Sequence, residues 1–292
     1  MRHEICWTKP TWNEVKKHIK PNLILFIPVV AVSLYKIMDK IMIGVFSTKI
    51  QVGFYENSEK IINIPQALIN SLGTVMLPRV THLLANGEVD RSKEYIRDSM
   101  QYAMGTSVGA AFGLMGIAPN FAGWFFGSGF DACAILIAGL APTIIFNAWA
   151  NVLRTQYLIP MNKDRSYITS VSAGAIVNLF INILLIGKMG AFGAVLGTFV
   201  AEFAVMFIQT LYVYKEIEVK KYIKDNIVFI VAGLLMYTIV KSIGTLELNG
   251  LPKLILQILI GSLVYLIFSF ILLLIKNRKR AIYILNSLVK KR

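Results

Sequence analysis

Apolar residues recur along the chain in blocks of about twenty, separated by short polar or charged segments. A helix of about this length is needed to cross the roughly 30 Å hydrocarbon layer of a bilayer. The apolar blocks, bounded by turn and charge signals, predict eight transmembrane helices. Their expected bounds are 21–46, 52–84, 95–118, 131–153, 165–186, 190–213, 225–243 and 251–275. The pattern therefore predicts an all-α fold, a polytopic membrane helix bundle.

The composition supports this class. Of 292 residues, 56% are hydrophobic and 16% are charged, whereas about 25% are charged in an ordinary soluble domain. The net charge of +14 raises the alternative of a nucleic-acid-binding protein. The positions of the charges decide against it, because Lys and Arg are concentrated in alternate segments between the predicted spans.

The distribution of basic residues also predicts the topology. Of the 30 Lys and Arg residues, 22 fall in the N-terminal tail, the C-terminal tail and the segments on the same side, and four fall in the opposite segments. Cytoplasmic loops retain positive charge. We therefore expect a multi-pass protein of the cytoplasmic (plasma) membrane with both termini in the cytoplasm and no nucleic-acid partner.

Four segments are expected from these patterns. Residues 1–20 form a basic cytoplasmic N-terminal segment, residues 21–215 a six-helix lobe, and residues 216–275 two additional transmembrane helices. Residues 276–292 alternate basic and apolar side chains at helical spacing, which is typical of an amphipathic helix on anionic phospholipid. This tail is expected to lie on the inner leaflet.

Ionisable side chains inside the spans are the candidate functional residues, because each costs about 2.5–3.5 kcal/mol at mid-membrane and so tends to face protein or water. They are Lys36, Asp39, Lys40, Glu56, Glu59, Lys60, Arg79 and Glu202. Lys36, Asp39 and Lys40 are spaced i, i+3, i+4 and share one helix face. The second span repeats this spacing, so two neighbouring helices carry polar stripes.

Two interpretations of these stripes stay open. In the first, the residues line a hydrophilic cavity whose Lys and Arg attract an anionic headgroup such as a phosphate or pyrophosphate. In the second, they are internal ion pairs, Asp39 with Lys36 and Glu56 with Lys60. Glu202 fits either ion coupling or interhelical hydrogen bonding.

The chain carries no clear catalytic signature. The sequence has no HExxH motif and no Walker loop. No paired carboxylates or histidines occur in the outward segments, and the two cysteines lack metal-ligand spacing. We expect a protein without enzymatic activity, cofactor or metal.

Several short motifs stand out in combination. Residues 39–44 read Asp-Lys-Ile-Met-Ile-Gly, 52–55 read Val-Gly-Phe-Tyr, and 74–79 read Thr-Val-Met-Leu-Pro-Arg. Residues 178–182 read Asn-Leu-Phe-Ile-Asn, and they are followed by Gly190, Gly193, Gly197, Thr198 and Glu202. Together these motifs resemble the Wzx-type oligosaccharide flippases of the multidrug/oligosaccharidyl-lipid/polysaccharide exporter superfamily.

The resemblance implies export of undecaprenyl-pyrophosphate-linked oligosaccharide repeat units for capsule or exopolysaccharide biosynthesis. It also implies two six-helix lobes that rock about a central cavity, with the helices beginning at Pro21 and Val52 lining the path of the polyprenyl pyrophosphate carrier. The eight spans match the later part of that family, so we expect a truncated form or fragment whose first lobe is missing or is a separate N-terminal half. Polysaccharide assembly proteins are further expected partners.

Two alternatives remain at this stage. A drug or cation antiporter of the same superfamily would have a cavity dominated by carboxylates. A membrane enzyme of polysaccharide assembly, such as a polymerase or acyltransferase, would need a large outward loop or a catalytic His/Asp set.

Overall fold

The structure is a computed structural model that describes residues 10–248 and 250–276, without the side chains at positions 20, 21, 24, 25, 27–32, 34–36 and 276. Its α-helices are α1 (Trp12–Phe46), α2 (Lys49–Ala85), α3 (Val89–Phe126), α4 (Ala132–Leu140), α5 (Thr143–Leu153), α6 (Asp164–Met189), α7 (Ala191–Val213), α8 (Val219–Gly244) and α9 (Leu251–Lys276). The described residues contain no strand, and the all-α helix bundle predicted from the sequence is confirmed. The expected inner-leaflet tail after α9 lies outside this description.

Seven helical segments of the described part are long and apolar enough to cross a membrane. They are Lys49–Ala85, Val89–Phe126, Ala132–Leu158, Asp164–Met189, Ala191–Val213, Val219–Gly244 and Leu251–Ile275. They coincide with seven of the eight predicted spans. The remaining predicted span, 21–46, falls within α1, where many side chains lie outside the description. The chain is a multi-pass membrane protein.

The predicted span at 131–153 is one crossing made of two helices. Pro142 separates α4 from α5, because proline has no N–H to continue the helical ladder. Thr143 Oγ1 donates a hydrogen bond of 2.7 Å to the Leu140 carbonyl beside this break. A π-helical turn, Arg154–Leu158, then extends the segment beyond its predicted end.

Two helices run well past the membrane-sized apolar blocks. Helices α2 and α3 contain 37 and 38 residues, so each is about 55 Å long. The predicted bounds, 52–84 and 95–118, are shorter than both helices, and the difference is larger for α3. The polar residues on either side of the apolar block of α3 are still helical.

Helices α8 and α9 pack on α3 through a glycine-lined surface. A Cβ at Gly109 would lie 2.9 Å from the Tyr265 ring, so only glycine admits α9 at this distance. The Tyr265 hydroxyl donates to the Gly105 carbonyl at 2.6 Å. Arg97 on α3 forms an ion pair with Asp225 on α8 at 2.5 Å. The two last helices are therefore fastened to α3 by packing, a hydrogen bond and an ion pair.

Helices α6 and α7 form a tight hairpin against α1 and bring polar residues towards it. Gly190 makes the turn with φ of +57°, a conformation that glycine adopts readily. A Cβ at Gly193 would lie 2.7 Å from the backbone of Leu185. This close approach sets the register that places Asn182 and Thr198 opposite Asp39.

Candidate functional site

Asp39 is the centre of a buried polar cluster in which four helices meet. Its carboxylate is 2% exposed and accepts hydrogen bonds from Tyr55 Oη at 2.8 Å, Thr198 Oγ1 at 2.9 Å and Asn182 Nδ2 at 2.5 Å. These donors come from α2, α7 and α6. A buried charge is tolerated when donors replace its water shell. One carboxylate therefore joins α1 to three other helices.

A glycine makes room for this cluster. Gly197 precedes Thr198 on α7, and a Cβ at that position would lie 2.1 Å from Asn182 Oδ1. The Asn182 amide also donates to Asn178 Oδ1 at 3.1 Å, one turn earlier on α6. The amide is thus held from two sides, and no side chain larger than glycine leaves it in place.

The charges next to Asp39 pair between and along helices. Lys40 on α1 bonds Glu59 on α2 at 2.8 Å, with side chains 32% and 14% exposed. Glu56 and Lys60 pair at 3.0 Å along α2, and both are more exposed. An exposed pair of this kind contributes about 0.3–0.5 kcal/mol. The half-buried Lys40–Glu59 pair is therefore the one that links the two helices.

A polar seam continues from this cluster through the interior of the bundle. The polar seam consists of three facing rows of side chains. Helix α2 contributes Glu59, Asn63, Gln66 and Asn70; α5 and its π-turn contribute Thr143, Asn147, Asn151 and Arg154; α7 contributes Thr198, Glu202 and Gln209. Each row recurs at three, four or seven residues, the spacing of one helix face. Two cavities lie along these rows.

The two cavities of the seam adjoin at Glu202. The Asp39 cavity, of about 30 Å³, is lined by residues that include Asp39, Glu59 and Glu202. The Arg154 cavity, of about 90 Å³, is lined by residues that include Arg154 and Glu202. Glu202 is 6% exposed and lies near the middle of α7. It therefore borders both spaces.

Arg154 is a candidate that sequence reasoning missed. The sequence interpretation counted it with the cytoplasmic loop charges because it follows an apolar block. The π-helical turn instead carries it inside, where it donates to Asn151 Oδ1 at 2.5 Å and lies 5.6 Å from the centre of the Tyr167 ring. The signal was present in the polar row of Asn147, Asn151 and Arg154 along one face of α5.

The predicted site residues do not all meet in one place. Asp39, Glu59 and Glu202 line the seam, and Lys40 reaches it through Glu59. Of the two ion pairs considered from the sequence, Glu56–Lys60 is present. Asp39 is held by neutral donors, and the side chain of its other suggested partner, Lys36, lies outside the description.

Arg79 lies apart from the seam. It is exposed and lines an open groove of about 490 Å³ between the end of α2 and the start of α3, together with His82, Arg91 and Tyr95. Among the described residues, no group of three or more His, Cys, Asp or Glu side chains is placed to hold a metal ion. The chemistry that the arrangement offers is therefore hydrogen bonding and charge, spread over two cavities and a groove.

Comparisons with known proteins relate this chain to flippases. A family model described as lipid II flippase MurJ matches residues 1–289. The chain is 24% identical over 232 residues to the probable low-salt glycan biosynthesis flippase Agl15 of Haloferax volcanii, covering 79% of this chain and 49% of that protein. It is 24% identical over 143 residues to the lipid II flippase MurJ of Bacillus subtilis, covering 48% of this chain and 26% of that protein.

The fold is also that of a solved flippase. The chain resembles a structure of lipid II flippase MurJ in an inward closed conformation with a TM-score of 0.74 at 16% identity. The match covers 91% of this chain and 56% of that one. The chain spans about half the length of the solved flippase and of the haloarchaeal relative.

Proposed function

We propose that this chain, which belongs to the lipid II flippase MurJ family, is one lobe of a transporter that moves polyprenyl-pyrophosphate-linked oligosaccharides between the leaflets of the cytoplasmic membrane. The family match over residues 1–289 carries the proposal. It supports a flippase over a polymerase or acyltransferase, since this family and the relatives found are transporters and not enzymes.

The chemical identity of the cargo is a second part of the proposal. The resemblance to Wzx-type proteins led us to expect repeat units for capsule or exopolysaccharide. The comparisons support the wider group of lipid-linked glycan and lipid II flippases and not the Wzx type in particular. Cargoes of both kinds share a saccharide on a lipid carrier, and an anionic pyrophosphate would bind cationic side chains by charge-assisted hydrogen bonds.

The exposed charges are the better candidates to face such a cargo. Lys60 and Arg79 are exposed on α2, and Lys40 is one-third exposed. Asp39 and Glu202 are buried within the bundle, so we propose that they do not contact the cargo. We propose that the exposed face of α1 and α2 lines the substrate path, opposite a second lobe, with both chain termini in the cytoplasm.

Complementation tests the function directly. The chain would be expressed in one strain depleted of its lipid II flippase and in another lacking its exopolysaccharide flippase, alone and together with the first lobe of a family member. Growth in the first strain assigns lipid II as the cargo, and polymer export in the second assigns a repeat unit. Failure in both strains with the first lobe present contradicts the proposal. Extrusion of a cationic dye would instead favour an antiporter.

The residue roles need a matched control. Lys60→Gln and Arg79→Gln remove exposed positive charges on the proposed path, so each should reduce complementation without lowering the amount of protein in the membrane. Lys188→Gln, an exposed lysine in the last turn of α6, should leave it unchanged. Equal complementation by all three variants would remove the cationic path from the proposal.

A further inference from the structure

The Arg154 cavity contains polar atoms that have no hydrogen-bond partner among the described residues. Arg154 Nε, Asn70 Oδ1 and Gln209 Oε1 are buried and make no hydrogen bond to a described atom, and all three residues line the cavity. Leaving such a group unmatched costs about 1–3 kcal/mol. One of these atoms is a donor and two are acceptors. The cavity is therefore built for a guest that both accepts and donates.

The size and the mixed polarity of the cavity identify the guest as water. A volume of about 90 Å³ is too small for a sugar ring, and a water molecule takes about 30 Å³ of liquid. A metal cation would face the Arg154 guanidinium, and an anion would leave the amide oxygens unmatched. A few water molecules satisfy the donor and both acceptors together.

Glu202 connects this water to the second cavity. It lies near the middle of α7 and borders both spaces. The other charged or titratable groups that line them are Asp39, Tyr55 and Glu59 on one side, and Arg154 and Tyr167 on the other. Of these groups, Glu202 is the one that lines both cavities. An ionisable group at mid-membrane between two hydrated spaces suits a proton relay.

We propose that the polar seam is a water-filled proton path in which the Glu202 carboxylate takes up a proton from water in one cavity and releases it to water in the other. The role of such a path would be to couple proton movement to flipping, and this role rests on the proposed transport function. The proton path itself is a property of this bundle and is measurable without any lipid-linked saccharide.

Infrared spectroscopy of the full chain in lipid nanodiscs tests the path. Among the carbonyl-stretch bands of the protonated carboxyl groups, we expect one from Glu202 that grows as the pH falls and shifts at once when H₂O is replaced by D₂O. Glu202→Gln should abolish this band. Glu56→Gln, which removes an exposed carboxylate paired with Lys60, should leave it. Glu202→Asp should keep a titrating band at a shifted position, which preserves the test if the glutamine variant does not fold.

The water requirement is tested separately by filling the cavity. Ala150 lines the Arg154 cavity and is 6% exposed, so Ala150→Leu should displace the water and slow the D₂O shift of the Glu202 band. The proposal is overturned if Glu202→Gln removes no carboxyl band, or if the band that it removes takes hours to shift in the unmodified protein. If the unmodified chain shows the titrating Glu202 band but fails to complement both flippase-deficient strains with the first lobe present, the proposed transport function is contradicted and the proton path is not.

Discussion

Replacing Gly197 by alanine should disrupt the four-helix junction at Asp39. The new Cβ would lie 2.1 Å from Asn182 Oδ1, so the amide must move and its 2.5 Å hydrogen bond to the carboxylate is lost. A hydrogen bond to a charged group contributes about 1.5–3 kcal/mol. Alanine regains about 1 kcal/mol of helix propensity, so the net loss of unfolding free energy is about 0.5–2 kcal/mol.

The matched control is Gly187→Ala on α6, where a Cβ meets nothing within 4 Å. This variant gains the helix propensity and loses no contact. The two alanine variants should therefore differ by the hydrogen bond alone, about 1.5–3 kcal/mol. At about 2 °C per kcal/mol for a chain of this size, Gly197→Ala should melt about 3–6 °C below Gly187→Ala in detergent micelles.

A double-mutant cycle with Asn182→Ala separates the clash from other effects. Once the amide is gone, Gly197→Ala has nothing to displace there and should be as harmless as the control. If Gly197→Ala lowers Tm by the same amount with Asn182 present and with Asn182→Ala, the clash is not with the Asn182 amide. Equal melting temperatures for Gly197→Ala and Gly187→Ala would refute the reasoning altogether.

Two further outcomes are expected from contacts at other parts of the bundle. Gly109→Ala should lower Tm because its Cβ would lie 2.9 Å from the Tyr265 ring, whereas Gly113→Ala, with its nearest neighbour at 3.8 Å, should not; equal Tm values would show that the ring has room to move. Hydrogen bonds from Lys163 and then Tyr157 lower the pKa of Glu216, so the stability they give is present above the ordinary value of 4.5 and is lost as the pH falls through the lowered pKa. Thermal melts of Glu216→Gln should lack that acid-side decline, and an identical decline in this variant would exclude the pair as its source.

The sequence predicts the helices well because membrane spans need long apolar blocks, and such blocks are visible without tertiary information. It also singled out Glu59 and Lys40, since ionisable residues are rare in spans. It could not assign their pairing, because that depends on how α1 is rotated against α2. The cavity position of Arg154 was not predicted for a related reason. The end of an apolar block was taken as the end of the helix, and the π-turn continues it. The polar row of Asn147 and Asn151 on one face of α5 indicated that this face, and Arg154 with it, lies in the interior.

The junction at Asp39 has a mechanical consequence. Turning any one of its four helices about its own long axis would pull a donor away from the carboxylate, whereas tilting all four in unison leaves every bond intact. The bundle interior thus resists twisting and permits swinging as a block. Bending needed during the proposed transport stroke then falls on the joints around the block, such as the helix break at Pro142 between α4 and α5.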